Sequence, residues 1–386
     1  MPPRSFLVFA TALIGALHLY IGMRLLPGLP VPAFWKLIGA AWLLASSVLV
    51  PLGLLSRGIQ QQPLADRLAW IGLLAMGLFS SLLVLSVLRD VVLLLIAAGA
   101  ALGLFSYPPH LAAELASSSA IAVMLLALFS TVAGFLNARR LARVINVEVP
   151  IAKLPDALQG FKIAQISDIH VGPTIKRAYL ERIVARVNAL EADMVAVTGD
   201  LVDGSVAALS SHTAPLATLR ARHGSFFVTG NHEYYANADE WIEEMRRLGL
   251  RVLLNEHVVL THAAAPLVVA GVTDFNGGHF GAAHRSDPQA AMKGAPQDSV
   301  KILLAHQPRS ATAAEQVGFD LQLSGHTHGG QFWPWNLFVP LQQPYTAGLH
   351  RLRAMWIYVS RGTGYWGPPK RFGAPSEITL LRLVSA

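Results

Sequence analysis

Residues 161–170 read FKIAQISDIH, an apolar run that stops at Ser167 and delivers Asp168-Ile169-His170. Apolar residues over Phe161–Ser167, bounded by polar ones, are the pattern of a buried strand. Four further stretches repeat the arrangement. Met194–Thr198 (MVAVT) leads into Gly199-Asp200 with Asp203 just beyond, and Phe226–Thr229 (FFVT) leads into Gly230-Asn231-His232-Glu233. Lys301–Ala305 (KILLA) ends in His306, and Leu321–Ser324 (LQLS) in Gly325-His326-Thr327-His328. Between these strands lie amphipathic stretches. Lys176–Leu190 places Leu180, Ile183, Val184, Val187 and Leu190 on one helical face, and Asp239–Leu248 turns Trp241, Met245 and Leu248 inward. Leu267–Val272 and Met355–Ser360 read as further strands. Strands alternating with helices predict an α/β domain, and in open α/β sheets the carboxyl edge of the strands is where sites form.

Any one Asp-x-His or Gly-Asp is commonplace; five such endings in one domain are not. Asp, His and Asn gathered without a single cysteine suit a hard-to-borderline divalent ion, Mn²⁺, Fe²⁺ or Zn²⁺. Glycines 199, 230 and 325 are expected to let the backbone turn sharply, so that the next side chain faces the ions. The ordered set DIH, GDLVD, GNHE, AHQ and GHTH resembles the calcineurin-like metallophosphoesterase superfamily over roughly Gly160–Thr379. With the apolar half included, the chain looks most like that superfamily's membrane-anchored bacterial branch. The resemblance implies a four-layer αββα sandwich with a two-metal site. It implies that Asp168, His170 and His328 hold one ion, that Asn231, His306 and His326 hold the other, and that Asp200 bridges both. It also implies catalytic roles for His232, as the acid that protonates the leaving oxygen, and for Asp203, which orients it. On this reading a hydroxide between the ions attacks phosphorus.

Other residues are weaker candidates. Arg361, after the strand Met355–Ser360, is placed to contact a phosphate. Gly362–Gly367 matches the GxGxxG string of dinucleotide folds, but Pro368-Pro369 forbids the helix that such a fingerprint must open. It reads instead as a glycine-rich loop at the rim of the site. His257, His262, His279, His284 and His350 read as surface loop residues, and Asp274 as a turn former or a support to the site. The segment Phe332–Pro340 begins close to His328 and carries Trp333, Trp335 and two prolines, which argue against a regular helix or central strand. It is either a covering loop or a lip that meets the bilayer, where Trp is favoured.

The rest of the chain has a different texture. Over 386 residues, 53% are hydrophobic and 14% charged, against about 25% charged in soluble domains. Five charge-free apolar runs fill the first half: Phe6–Met23, Leu37–Leu55, Leu68–Leu88, Val91–Tyr107 and Leu115–Ala138. A spanning helix needs roughly 20 such residues, so four or five transmembrane helices are expected, according to whether Arg89-Asp90 separates two of them. On this reading no acidic or basic residue sits mid-span. The predicted domains are 1–144, a membrane domain, and 145–386, the phosphoesterase domain.

The net charge of +7 is concentrated in residues 1–144, which hold nine Lys/Arg against three Asp/Glu, while twelve of the fourteen histidines lie between His170 and His350. The basic excess flanks apolar runs instead of forming a stripe, so nucleic acid is not an expected partner. Having no cysteine, the chain forms no disulfide, thiolate metal site or thiol nucleophile. The positive residues place the second half in the cytoplasm for either span count, with the bacterial inner membrane as the expected location. A membrane-embedded phosphoesterase suggests a lipid-linked substrate, such as a phospholipid or a UDP-diacylglucosamine-type precursor. The alternatives are a merely tethered phosphomonoesterase or nucleotide phosphodiesterase, or a non-catalytic metal-binding scaffold. Membrane lipids are expected contacts, and no obligate protein partner is inferred.

Overall fold

A computed structural model describes residues 4–59 and 61–386. The chain forms two compact units, Met1–Leu136 with Gly367–Lys370, and Asn137–Trp366 with Arg371–Ala386.

The first unit is built from α1 (Arg4–Leu25), α2 (Ala33–Leu55), α3 (Leu64–Ala101) and most of α4 (Pro109–Arg139). All four helices are long and apolar enough to cross a membrane. The runs Leu68–Leu88 and Val91–Tyr107 are not two spans: α3 is continuous through Arg89-Asp90 for 38 residues, about 57 Å at 1.5 Å per residue. Of the four or five helices expected, four form; the expectation that no acidic or basic residue sits mid-span is corrected by Arg89 and Asp90 within α3. The charged pair does not break α3 because other helices supply partners. Asp90 accepts from the Tyr20 hydroxyl and from Arg24 Nε, both at 2.7 Å, and Arg89 donates to Ser119 Oγ at 2.8 Å and to the Ala116 carbonyl at 2.9 Å. Helices α2 and α3 cross where Gly53 meets Gly72. A Cβ on Gly72 would lie 2.4 Å from the Leu49 carbonyl, so only glycine permits this approach.

The second unit carries, among the described residues, twelve strands: β1 (Arg143–Ile151), β2 (Lys162–Ile166), β3 (Met194–Val197), β4 (Ser225–Phe227), β5 (Arg251–Val252), β6 (Glu256–His262), β7 (Ala265–Gly271), β8 (Val300–Leu304), β9 (Leu321–Ser324), β10 (Gly348–Leu352), β11 (Met355–Val359) and β12 (Glu377–Ser385). They form two six-stranded sheets, ordered β1-β12-β2-β3-β4-β5 and β10-β11-β9-β8-β7-β6. Its helices are α5 (Arg177–Asn188), α6 (Val206–Thr213), α7 (Asn231–Tyr235), α8 (Ala238–Arg247), α9 (Pro288–Met292) and α10 (Ala311–Val317).

The period of two along a strand sorts side chains into layers. On β3, Met194 and Ala196 pack against Leu267, Val269, Ile302 and Leu304 of the other sheet, while Val195 and Val197 pack against Leu180, Ile183 and Trp241 of the helices. The outer face of the second sheet, with Ala270, Leu303 and Ile357, buries Ala291, Ala311 and Ala314. The result is the αββα sandwich. Strands covered on both faces need no polar alternation, which is why MVAV and KILL read as unbroken apolar runs. His257, His262 and His350 lie on strands β6 and β10, not in loops.

Candidate metal centre

Strands β2, β3 and β4 pair in parallel, as do β8 and β9 in the other sheet, so each set presents its carboxyl ends together. Asp168 and His170 follow β2, Asp200 follows β3, Asn231 and His232 follow β4, His306 follows β8, and His326 and His328 follow β9. The backbone leaves each strand abruptly. Asp168, His170, Asp200, His326 and His328 have φ of 53°, 56°, 52°, 71° and 52°, the left-handed region. That conformation costs an L-residue about 1–2 kcal/mol, although Asp and His tolerate it better than most.

The three glycines do not share one reason. Gly199 turns with φ of 84°, as expected. Gly230 and Gly325 need space instead: a Cβ on Gly230 would lie 2.2 Å from Asp200 Oδ1, and one on Gly325 would lie 2.1 Å from Asp168 Oδ2. Any side chain at either position would displace a carboxylate of the site.

Three groups of donor atoms result, each with its atoms within 4.8 Å of one another: Asp168, His170 and His328; Asp200, His306 and His326; and His170, Asp203 and His232. In the first, His170 Nε2 and His328 Nε2 are 3.0 Å apart, and His328 Nε2 lies 3.6 Å from Asp168 Oδ1. In the second, His306 Nε2 is 3.1 Å from Asp200 Oδ2 and 3.2 Å from His326 Nδ1. The outward ring nitrogens are anchored: His306 Nδ1 is 2.7 Å from the Thr198 carbonyl, and His170 Nδ1 is 3.1 Å from Asp203 Oδ1. Such contacts orient a ligating imidazole. Asn231 Oδ1 is buried with no hydrogen-bond partner among the described residues. An acceptor oxygen left without a proton donor, beside carboxylates and imidazoles, fits a cation. Burial lowers His326 to about 3 and depresses His328 as well, with the nearby Arg371 charge adding to the latter. Both rings are therefore neutral at pH 7 and offer lone pairs.

His232 belongs to the third group, and its Nε2 lies 4.0 Å from Asp200 Oδ2. Its Nδ1 is 2.6 Å from Asp203 Oδ1, and its backbone N–H donates to Asp200 Oδ1 at 2.8 Å. Burial works to lower its pKa, but the Asp200 charge and the Asp203 hydrogen bond outweigh it and hold the ring at about 9. A cavity of about 270 Å³ is lined by Asp200, Asn231, His232, Tyr235, His326, His328 and Trp366. The Trp366 ring meets His232 edge-on at 5.8 Å.

The remaining candidates sit elsewhere. Arg361 Nη1 donates to Glu377 Oε2 at 2.9 Å, and the residue does not line the cavity. Trp333 and Trp335 are 40% and 45% exposed in a loop of short turns, with Trp335 and Phe338 rings 5.8 Å apart. The loop's base is fastened to the cavity wall by a reciprocal pair, Trp366 N–H to Gln331 Oε1 at 2.9 Å and Gln331 Nε2 to the Trp366 carbonyl at 2.7 Å. Asp274 is buried and accepts from Gln307, the neighbour of His306.

Two residues of the site carried no role in the sequence reading. Glu233 is buried, and its carboxylate accepts from the backbone N–H groups of Asp200 (2.9 Å), Leu201 (2.7 Å) and Gly230 (2.7 Å). The signal was present, since an acid three residues after Gly230 completes a capping box on α7. Arg371 is fully buried; its guanidinium donates to the carbonyls of His328 and Arg361, both at 2.8 Å, and lies 3.0 Å from His328 Nδ1. No local pattern marks it.

The family model for calcineurin-like phosphoesterases matches residues 161–330, the span from the start of β2 to just past His328. A metallophosphoesterase of Aquifex aeolicus is 33% identical over 243 residues, 62% of this chain and 91% of that one. The chain belongs to the calcineurin-like phosphoesterase family. A bovine protein titled transmembrane protein with metallophosphoesterase domain is 40% identical over 285 residues, 71% of this chain and 64% of its own length. A metallophosphoesterase of Helicobacter pylori is 41% identical over 249 residues, 63% of this chain and 65% of that one. The chain thus spans just under two thirds of the length of these two relatives. The likeness extends from bacteria to cattle and is not confined to a bacterial branch.

Proposed function

We propose that the chain is a two-metal-dependent phosphoester hydrolase. The observation that carries this reading is the convergence of six potential ligands from four strand ends beside the buried Asn231 amide oxygen, which has no hydrogen-bond partner among the described residues. In this assignment Asp168, His170 and His328 would hold one divalent ion, Asn231, His306 and His326 would hold the second, and Asp200 would contribute to both. Two such ions supply a nucleophile at neutral pH and offset the charge of a phosphoryl group. The protein's own contribution is orientation and a proton. Asp203 fixes the His232 ring through Nδ1, leaving Nε2 to protonate the departing oxygen as its bond to phosphorus breaks. Asp200→Asn tests the assignment: turnover should vanish and bound metal, measured by mass spectrometry, should fall at both positions. Near-normal activity with two ions retained would sink it.

The substrate favoured by the exposed aromatic loop is a phosphoester or pyrophosphate on a lipid. Trp333 and Trp335 supply apolar surface beside a cavity that a soluble substrate would not require. Replacing both by alanine should impair hydrolysis of a bilayer-embedded lipid far more than that of a short soluble phosphodiester; equal losses would make the loop structural and favour the tethered phosphodiesterase. Four spans would put Arg4, Arg57, Arg67, Arg139, Arg140 and Arg143 on the side of the α/β domain, against Arg24, Lys36 and Arg89 opposite, which favours a cytoplasmic domain. Protease added to sealed right-side-out vesicles should leave the domain intact, and complete digestion would overturn that orientation.

A further inference from the structure

Three arginines close the helical half, and they differ in what they touch. Arg139 Nη1 donates to the Thr174 carbonyl at 3.0 Å and to the Tyr365 hydroxyl at 3.1 Å, so its charge serves the fold. The side chains of Arg140 and Arg143 have no hydrogen bond or ion pair among the described residues, and both residues are exposed. They line a pocket of about 150 Å³ with Asn137, Leu141, Pro375 and Ser376, all within the α/β unit. The acid opposite Arg143 in the β1–β12 pairing, Glu377, does not neutralise the pair. It is buried and accepts from Arg361 Nη1 at 2.9 Å and from the Tyr358 hydroxyl at 2.8 Å.

The pocket's place narrows its ligand. Asn137 is in the last turn of α4 and Arg140 directly follows it, so the pocket opens at the end of a helix apolar enough to cross a bilayer. That is the level at which hydrocarbon gives way to headgroups. Two guanidinium forks match the oxygens of a phosphodiester, while Leu141 and Pro375 offer apolar wall to the carbons beside it. We propose that Arg140 and Arg143 form a binding site for the headgroup phosphate of an anionic phospholipid. None of its lining residues lines the metal cavity, and the inference does not depend on the hydrolase reading.

The test uses the full chain in detergent micelles, with lipid retention read by native mass spectrometry. Phosphatidylglycerol should be retained in preference to phosphatidylcholine, and inorganic phosphate at equal concentration should not displace it. A basic side chain near an anionic headgroup contributes about 1 kcal/mol, so Arg140→Gln with Arg143→Gln should weaken phosphatidylglycerol binding about 30-fold. The paired Arg140→Lys and Arg143→Lys variant, which keeps both charges, should retain most of it and guards against misfolding of the neutral variant. The proposal is overturned if the Gln pair binds as the parent does or if phosphatidylcholine is held as tightly. Displacement by inorganic phosphate would overturn it too, since the site would then take a free anion and not a lipid.

Discussion

His232 and Glu233 are adjacent in the chain and do opposite work. The imidazole borders the cavity, with its Nδ1 occupied by Asp203 at 2.6 Å, so His232→Ala should keep both ions and slow hydrolysis by about 10²–10⁴-fold. The loss should shrink for p-nitrophenolate, which departs without a proton; an equal loss for good and poor leaving groups would argue for a binding role. Glu233 faces away and clamps three backbone donors that set Asp200 and Asn231 relative to each other. Its alanine variant leaves those donors buried and unbonded, at about 1–3 kcal/mol each, so chemical denaturation should show a loss of at least about 3 kcal/mol. Glu233→Gln, which keeps an acceptor oxygen, should lose less, and an alanine variant as stable as the parent would remove the clamp from the account. At this scale the clustering of the candidate ligands was legible, because each follows an apolar run within a few residues. Arg371 was not, since it acts on carbonyls and a ring nitrogen as far as 43 residues away in sequence.

Among the elements, α8 shows how a helix outside the site holds a residue within it. Trp241 is fully buried, and its Nε1 donates to the carbonyl of Gly204 at 2.9 Å, one residue past Asp203. Trp241→Ala should cost about 3–5 kcal/mol. Trp241→Phe, which keeps most of the packing but frees that carbonyl, should cost about 1 kcal/mol and slow turnover through Asp203. Thermal unfolding and steady-state rates separate the two effects; a phenylalanine variant with unchanged rates would confine Trp241 to the core. The ligand-bearing strands were legible to within a residue or two. Strand β12 was not picked out because no ligand stands at its end. The continuity of α3 was invisible for a different reason: the partners that satisfy Arg89 and Asp90 lie 27 to 70 residues away in sequence, where no local pattern reaches.

For the whole molecule, ions bound only by the folded state shift its unfolding equilibrium, by about 4 kcal/mol at a thousandfold excess over the dissociation constant. Chelation should therefore lower the unfolding midpoint of the α/β unit, measured on the full chain in micelles. The Asp200→Asn variant should start lower and fall little further. A parent midpoint indifferent to chelator would mean that the ions, if bound at all, contribute nothing to the fold.

The left-handed backbone at five of the candidate ligands also bears on heredity. Glycine would relieve that strain at each position, by up to about 1 kcal/mol, so drift under selection for stability alone would erode Asp168, His170, Asp200, His326 and His328. A lineage that had lost its substrate would be expected to trade them away and fold the better for it. For the site proposed above, carrying the full set requires a return large enough to outweigh what folding would gain without it.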